Sequence, residues 1–284
     1  MKYQAPQSIS EAVNCLGQAE TPKILAGGTD LLVQLRGATH KPTTLIDIKY
    51  IPETRSIHLN GDELIVGAAV SGAELNEHSE AKKLWPGVAE AFDLIGSTQI
   101  QGRATLGGNL CNASPAADSV PALIAAGAVA RLAGPKGERE LAVEDVNIGP
   151  GKNNLQPGEF IVSFRFPVRS PHSGDAYLRF IPRTEMDIAV VGVGINLSLD
   201  DQGFCTFARV SLGAVAPTAL LVGPAADALM GSKVDEAALN KLATAVSAAC
   251  KPINDKRGTI EYRTKVAAVI ARRTALIALE RAKK

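Results

Sequence analysis

The stretch "KILAGGTDLLVQLR", Lys23 to Arg36, runs from a short apolar segment into two glycines and out again into leucines at helical spacing. It reads as strand, turn and helix. A glycine between strand and helix takes positive φ at little cost and leaves its N–H uncovered. Ala26-Gly27-Gly28-Thr29 therefore forms a concave nest of amides suited to anionic oxygens, with the Thr29 hydroxyl as a further donor. The helix N-terminus behind it adds favourable dipole charge. A second stretch, "RATLGGNLCNASPAAD", repeats the arrangement at Thr105-Leu106-Gly107-Gly108-Asn109, where Thr105 and Asn109 add side-chain hydrogen bonds. Two nests predict a diphosphate. Taken singly, a glycine pair beside a strand is more often a tight turn, and neither stretch matches GxGxxG or a P-loop. Gly192-Val193-Gly194 does contain GxG, but it sits in an alternating strand with no helix after it and reads as structural.

Outward from these turns, Ser8 to Leu16 begins as a capping box, Ser8 with Glu11, ahead of an amphipathic helix. "TTLIDIKYI" and "IHLNGDELIVGAAVS" read as strands, the latter a hairpin joined at Asn60-Gly61. Ala81 to Gly96 has helical spacing with Pro86 near a helix start, and "SVPALIAAGAVARLAG" reads as an apolar helix. "EFIVSFRFP" alternates as a strand and leads into a Pro/Ser/Gly cluster, Pro167 to Gly174, which marks a domain boundary. Beyond it, "IAVVGVGINLSLDDQGFCTFARVSLGAV" reads as two or three strands turning at Asp200 to Gly203. The last stretch, "TIEYRTKVAAVIARRTALIALERAKK", is a helix apolar on one face that packs on its own sheet.

A length of 284 residues suits two modest domains, and a net charge of +1 spread along the chain disfavours nucleic acid as a partner. The longest apolar run, Val120 to Ala130, is too short for a membrane span, and the start "MKYQAPQSISEAV" lacks a signal-peptide pattern, so a cytoplasmic protein is expected. Cys15, Cys111, Cys205 and Cys250 show no pairing rhythm and no metal-ligand spacing. Any metal is then expected in a partner. His40, His58, His78 and His172 stand isolated and read as surface residues, and Cys111 reads as an inert packed thiol.

The order and spacing of "ILAGGTDLLVQLR", "LIDIKYIPE", "LIVGAAVS", "GSTQIQGRATLGGNLCNASPAADSVPAL", "FIVSFRFP", "PRTEMDIAVVGVGINL" and "RVSLGAVAPTA" resemble one family over nearly the whole chain. That family is the FAD-binding medium subunit of the molybdenum hydroxylases, related to the carbon monoxide dehydrogenase flavoprotein and the flavin domain of xanthine dehydrogenase. The resemblance implies an α+β chain. Residues 1–170 would form a two-subdomain FAD-binding fold of the vanillyl-alcohol-oxidase (PCMH) type, and residues 171–284 a smaller C-terminal domain of antiparallel sheet plus helices. It implies that Leu25, Ala26, Gly27, Gly28, Thr29, Asp30 and Leu31, with Thr105, Gly107, Gly108 and Asn109, wrap the ADP and diphosphate of FAD. Ile95 and Gly96 would line the adenosine side, Asp118 would hydrogen-bond the cofactor, Ile161 would pack on the isoalloxazine face, and Arg179 would lie close to the ring. The stretch Arg183 to Asp187 falls where the family has a mobile segment beside the flavin; a solvated loop is the competing reading.

No catalytic acid or base is expected from this chain, and no metal ligand. The resemblance implies a small partner subunit with [2Fe-2S] clusters and a large one with the molybdenum cofactor, in a dimer of heterotrimers, with FAD passing electrons to an external acceptor. Departures are Gln101-Gly102, where the family often has Arg-Asn, and Thr29-Asp30, where some relatives have His-Ser. The alternatives are a stand-alone flavoenzyme of the same fold, such as the UDP-sugar reductases, whose catalytic C-terminal region is not recognisable here, and a flavin-less assembly subunit. The organic substrate and the electron acceptor stay open.

Overall fold

The computed structural model describes residues 1–37 and 41–284; His40 lies outside the described residues. The first unit is a parallel sheet of β1 (Lys2–Gln4), β2 (Pro22–Leu25) and β3 (Thr44–Asp47) in the order β1-β3-β2. Helix α1 (Ile9–Gln18) covers it, burying Ala12 and Leu16, and α2 (Leu31–Arg36) follows the first glycine turn. Ser8 caps α1 by accepting the Glu11 amide, but the Glu11 carboxylate reaches the amide of Gln7 rather than Ser8. A short 3-10 turn over Ile48–Tyr50 and α3 (Pro52–Arg55) lead out of β3.

The second unit is an antiparallel sheet. Its strands β4 (Ile57–Asn60), β5 (Glu63–Gly67), β6 (Val129–Gly134) and β7 (Gly137–Ala142) are joined by a later one, as described below. The β4–β5 hairpin closes over Gly61-Asp62, one residue later than expected, because Asn60 still pairs with Glu63 and Gly61 takes φ +61. Six helices come next in the chain: α4 (Gly72–Glu77), α5 (Ser79–Leu84), α6 (Pro86–Asp93), α7 (Thr98–Gln101), α8 (Leu106–Cys111) and α9 (Ser119–Ala126). The apolar helix expected over Ser119 to Gly134 is overturned in its second half. The helix stops at Ala126 because Gly127 adopts φ +70 and returns its amide to Leu123 and Ile124, and Val129–Gly134 is β6. A continuous apolar run conceals such a switch, since buried helix and buried strand look alike in it. After a small hairpin of β8 (Asn147–Gly149) and β9 (Lys152–Asn153), β10 (Phe160–Phe166) enters the middle of the second sheet, in the order β4-β5-β10-β6-β7.

The third unit is the antiparallel sheet β11 (Ser173–Phe180), β12 (Val191–Leu199), β13 (Cys205–Gly213) and β14 (Leu220–Leu221), in that order, with α10 (Gly223–Asp227), α11 (Glu236–Ala249) and α12 (Ile260–Ala282). Helix α12 lies on β11 and β12 through Ala267, Ile270, Ala271, Ala275 and Ala278. Its alanines let the helix backbone come so near that a Cβ at Gly174 would collide with the Ala278 carbonyl. None of the described helices is long and apolar enough to cross a membrane.

The third unit docks tightly on the second. Tyr177 of β11 is buried in the second unit's core, and Gly192 of β12 leaves room for its hydroxyl. A Cβ at Gly194 would lie 2.5 Å from the Pro121 carbonyl oxygen, and one at Gly213 would lie 2.6 Å from the Pro121 ring, so α9 rests directly on β12 and β13. The Gly192-Val193-Gly194 sequence is thus a packing surface. Arg209 adds bonds to the Ile124 carbonyl at 2.9 Å and to Glu144 at 2.6 Å.

Candidate functional site

A cavity of about 380 Å³ opens where the parallel sheet meets the second unit. The carboxyl ends of β2 and β3 point to it, the place where ligands collect in parallel sheets. One wall is the first glycine turn, from Ala26 to Leu31, with Ile24 and Ile48. The second is Ala104 to Asn112 with Ile95, and the third runs from Leu155 to Ile161.

Of the residues expected at a cofactor, Ala26, Gly27, Gly28, Thr29, Asp30, Leu31, Ile95, Thr105, Gly107, Gly108, Asn109 and Ile161 line this one cavity. Leu25, Gly96, Asp118 and Arg179 stand outside it. Leu25 ends β2 and packs behind Gly28, where an added methyl would lie 3.1 Å from Leu25 Cδ1. Gly96, at φ +62, turns the chain toward α7 and lies against Ile100. Asp118 faces the third unit: its carboxylate accepts the Tyr177 hydroxyl at 2.9 Å and the Arg179 guanidinium at 2.7 Å. Burial pushes the Asp118 carboxyl up to about 6, against the pull of Arg179 and Tyr177.

The two turns differ in what their amides do. Among the described residues, the amides of Gly27, Gly28, Thr29 and Asp30 have no protein acceptor. The second turn has spent most of its donors: Gly107 N–H on the Ala68 carbonyl at 3.0 Å, Gly108 N–H on Thr105 Oγ1 at 3.0 Å, and Asn109 N–H on the Thr105 carbonyl at 2.9 Å. What it offers the cavity is side chains. Asn109 Oδ1 accepts the buried Ser119 hydroxyl at 2.6 Å, which leaves the Asn109 NH₂ as the group available for a ligand.

The glycines also divide. A side chain at Gly27 would collide with the Arg103 carbonyl, so its absence is set by the backbone of the second turn's approach, not by a ligand. At Gly107 a Cβ would lie 2.7 Å from the Ala68 oxygen. Gly28 is required instead by its conformation, φ +81, with only leucine side chains nearby.

Four further features were not read from the sequence. Lys49 Nζ bonds the Ala26 carbonyl at 2.8 Å and Asp47 Oδ1 at 2.7 Å. Asn112 and Asn153 line the cavity, Asn112 accepting Gln34 Nε2 at 3.2 Å and Asn153 donating to the Cys111 carbonyl at 3.3 Å. Strand β10 carries a register shift beside β6 between Ile161 and Ser163, at the cavity wall. A lysine just after the strand that adjoins the glycine-turn strand was the available signal for Lys49. Cys111 also lines the cavity, but burial pushes its thiol up to about 12, which keeps it protonated and unreactive. In the stretch Arg183 to Asp187 the two end residues pair, Arg183 exposed and the Asp187 side chain covered, and the Arg183 hydrogen bonds hold the Asp187 carboxyl down to about 2.

Free amides on one wall, the Asn109 NH₂ on the facing one and apolar lining from Ile24, Ile48, Ile95, Leu155 and Ile161 fit a ligand with an anionic middle and flat apolar parts, as FAD has.

Residues 1–169 match the family model for the FAD binding domain in molybdopterin dehydrogenase, and residues 176–278 that for the CO dehydrogenase flavoprotein C-terminal domain. The chain is 34% identical over 283 residues to the carbon monoxide dehydrogenase medium chain of Afipia carboxidovorans, covering 99% of this chain and 96% of that one. It is 30% identical over 263 residues to the xanthine dehydrogenase FAD-binding subunit of Escherichia coli O157:H7, covering 92% and 90%. Among solved structures it is similar to carbon monoxide dehydrogenase from Hydrogenophaga pseudoflava, in a form lacking the Mo-pyranopterin moiety of the molybdenum cofactor. That match has a TM-score of 0.94 at 33% identity and covers 99% of this chain and 98% of the other.

Proposed function

Because this chain belongs to the family of FAD-binding domains of molybdopterin dehydrogenases, we propose that it carries FAD in the cavity between its first two units and serves as the electron-transfer subunit of a molybdenum-containing hydroxylase. Its relatives are dehydrogenase subunits of oxidoreductase complexes. The flavin, when bound, accepts electrons singly and releases them in pairs.

This chain's own residues bind and orient. The amides of Gly27 to Asp30 and the Asn109 NH₂ meet the diphosphate, Thr29 and Thr105 lie at the two turns, and Ile95 and Ile161 pack against flat rings and exclude water. Asp118 and Arg179 act one layer out: Asp118, bonded by Arg179 and Tyr177, ties β11 to the start of α9. We take residues 1–170 as the FAD-binding domain and 171–284 as the C-terminal domain, a division supported by the spans of the two family matches. The partners in this reading are a small [2Fe-2S] subunit and a large molybdenum-cofactor subunit, assembled as a dimer of heterotrimers in the cytoplasm.

The observation that carries the reading is the row of free amides on a cavity otherwise lined by apolar groups. The test is an absorption spectrum of the purified chain, followed by heat release and identification of the chromophore, alone and co-expressed with the neighbouring reading frames. Released FAD, with molybdenum and iron co-purifying only alongside partners, is expected. A colourless chain in both preparations would overturn the flavin reading.

A further inference from the structure

The 3-10 turn after β3 belongs to a stretch, "LIDIKYIPE", of which the cofactor reading uses only Ile48. Lys49, in its middle, is four-fifths covered, and its ammonium has two partners: the carboxylate of buried Asp47 and the Ala26 carbonyl. Asp47 is itself held by the Tyr3 hydroxyl at 2.7 Å and by the Lys49 amide at 3.1 Å. Asp47 sits opposite Leu25 in the parallel pairing, so the two strands leave the sheet side by side and bring Lys49 next to the first glycine turn.

The peptide between Ala26 and Gly27 is trans, so its carbonyl and its N–H point in opposite directions. A glycine-rich turn is free to rotate that peptide, and something must choose its orientation. We propose that Lys49 is a positioning residue for the cofactor: by holding the Ala26 carbonyl it turns the Gly27 N–H away from itself and toward the cavity, making it a fixed anion donor. Three facts meet here: Gly27 lines the cavity, its amide has no protein acceptor among the described residues, and Lys49 does not line the cavity. The Asp47 carboxylate neutralises the ammonium, so the contribution is one of orientation more than of charge. A Lys suits this task because its single charged hydrogen-bonding head is stronger than a neutral donor to a carbonyl.

The inference rests on the flavin-carrying role proposed above, and the test separates the two. FAD is titrated into the full-length apo chain by flavin fluorescence, with Lys49→Met, Lys49→Arg and Asp47→Asn beside the unaltered protein. Lys49→Met is expected to weaken FAD binding by about tenfold or more. Lys49→Arg, which keeps a charged donor, should restore most of that loss. Asp47→Asn leaves the bond to Ala26 in place and should bind within about threefold of the unaltered chain. Unchanged affinity in Lys49→Met, or an equal loss in all three variants, would overturn the inference while leaving the flavin role standing. An unaltered chain that takes up no FAD would overturn both. A readout that needs no variant is the Gly27 amide resonance in protein labelled with nitrogen-15 at glycine: a shift and slowed exchange on adding FAD are expected, and an unmoved resonance would overturn the inference even if Lys49→Met does not fold.

Discussion

The two glycine turns share a dipeptide and a cavity, and they are built in opposite ways. The first has a helix without a side-chain cap behind it, since Asp30 makes no cap bond, and its amides are unclaimed. The second is a capped helix start whose amides are consumed by Thr105 and Ala68, so that its contribution to a ligand comes from Asn109. In each pair the leading glycine, Gly27 or Gly107, is small because another backbone presses on it. A glycine pair therefore reports crowding as readily as ligand approach, and only the hydrogen-bond inventory separates the two.

The sharpest test of that division is within the first turn. Gly27→Ala forces a methyl into the Arg103 carbonyl, where neither backbone segment has a flexible end to move, and should cost about 3 kcal/mol or more by urea unfolding of the apo chain. Gly28→Ala meets only leucine tips and pays chiefly for its left-handed backbone, about 1 kcal/mol. Equal losses would break the distinction between crowding and conformation.

The second turn should be tied to the third unit in a way that the first is not, through Asp118. An unfolded Asp titrates near about 3.9, and the folded one near about 6. Between those values the native chain holds a proton that the unfolded chain has released. Asp118's contribution therefore favours the folded chain below about pH 4 and is lost as pH rises through about 6, to the extent of about 2–3 kcal/mol. Melting temperature followed from pH 4 to 7 should fall more steeply in the unaltered protein than in Asp118→Asn. Identical slopes would remove Asp118 from the account. Asp30→Asn is the control at the first turn, whose carboxyl is also shifted upward by burial.

The smallest effect sharpens the capping contrast. Thr105→Val removes the acceptor of the Gly108 amide and should cost about 1 kcal/mol in the same unfolding measurement. Asp30→Ala, at the turn with no cap to lose, should change stability by less than about 0.5 kcal/mol. A comparable loss at both positions would mean that the turns are alike after all.

Much of this was legible in the chain because it is local. Strand β2, its turn and α2, the Asp200 to Gly203 turn and the long α12 each declare themselves within a window of some tens of residues. The helix expected through Gly134 failed where apolar residues occupy both faces, leaving Gly127 as the lone sign of a stop. What stayed hidden joins separate elements through single side-chain or backbone contacts that no periodicity announces: Lys49 to Ala26, Arg103 to Gly27, Ser119 to Asn109. Asp118 and Arg179 were each picked out by resemblance, yet nothing in their spacing of sixty-one positions said that they bond to each other.

The two glycines Gly194 and Gly213 amount to a mould of one small feature, the Pro121 turn of α9. A mould of that kind makes the C-terminal unit a poor candidate for exchange. A chimera that joins this flavin-binding half to another protein's C-terminal half inherits a sheet cast on a different helix. Even a single methyl at Gly194 or Gly213 would lift the two halves apart. Engineers wishing to recombine such subunits would have to move Pro121 and the glycines together as one cassette, although more than sixty residues separate the helix from the strands it shapes.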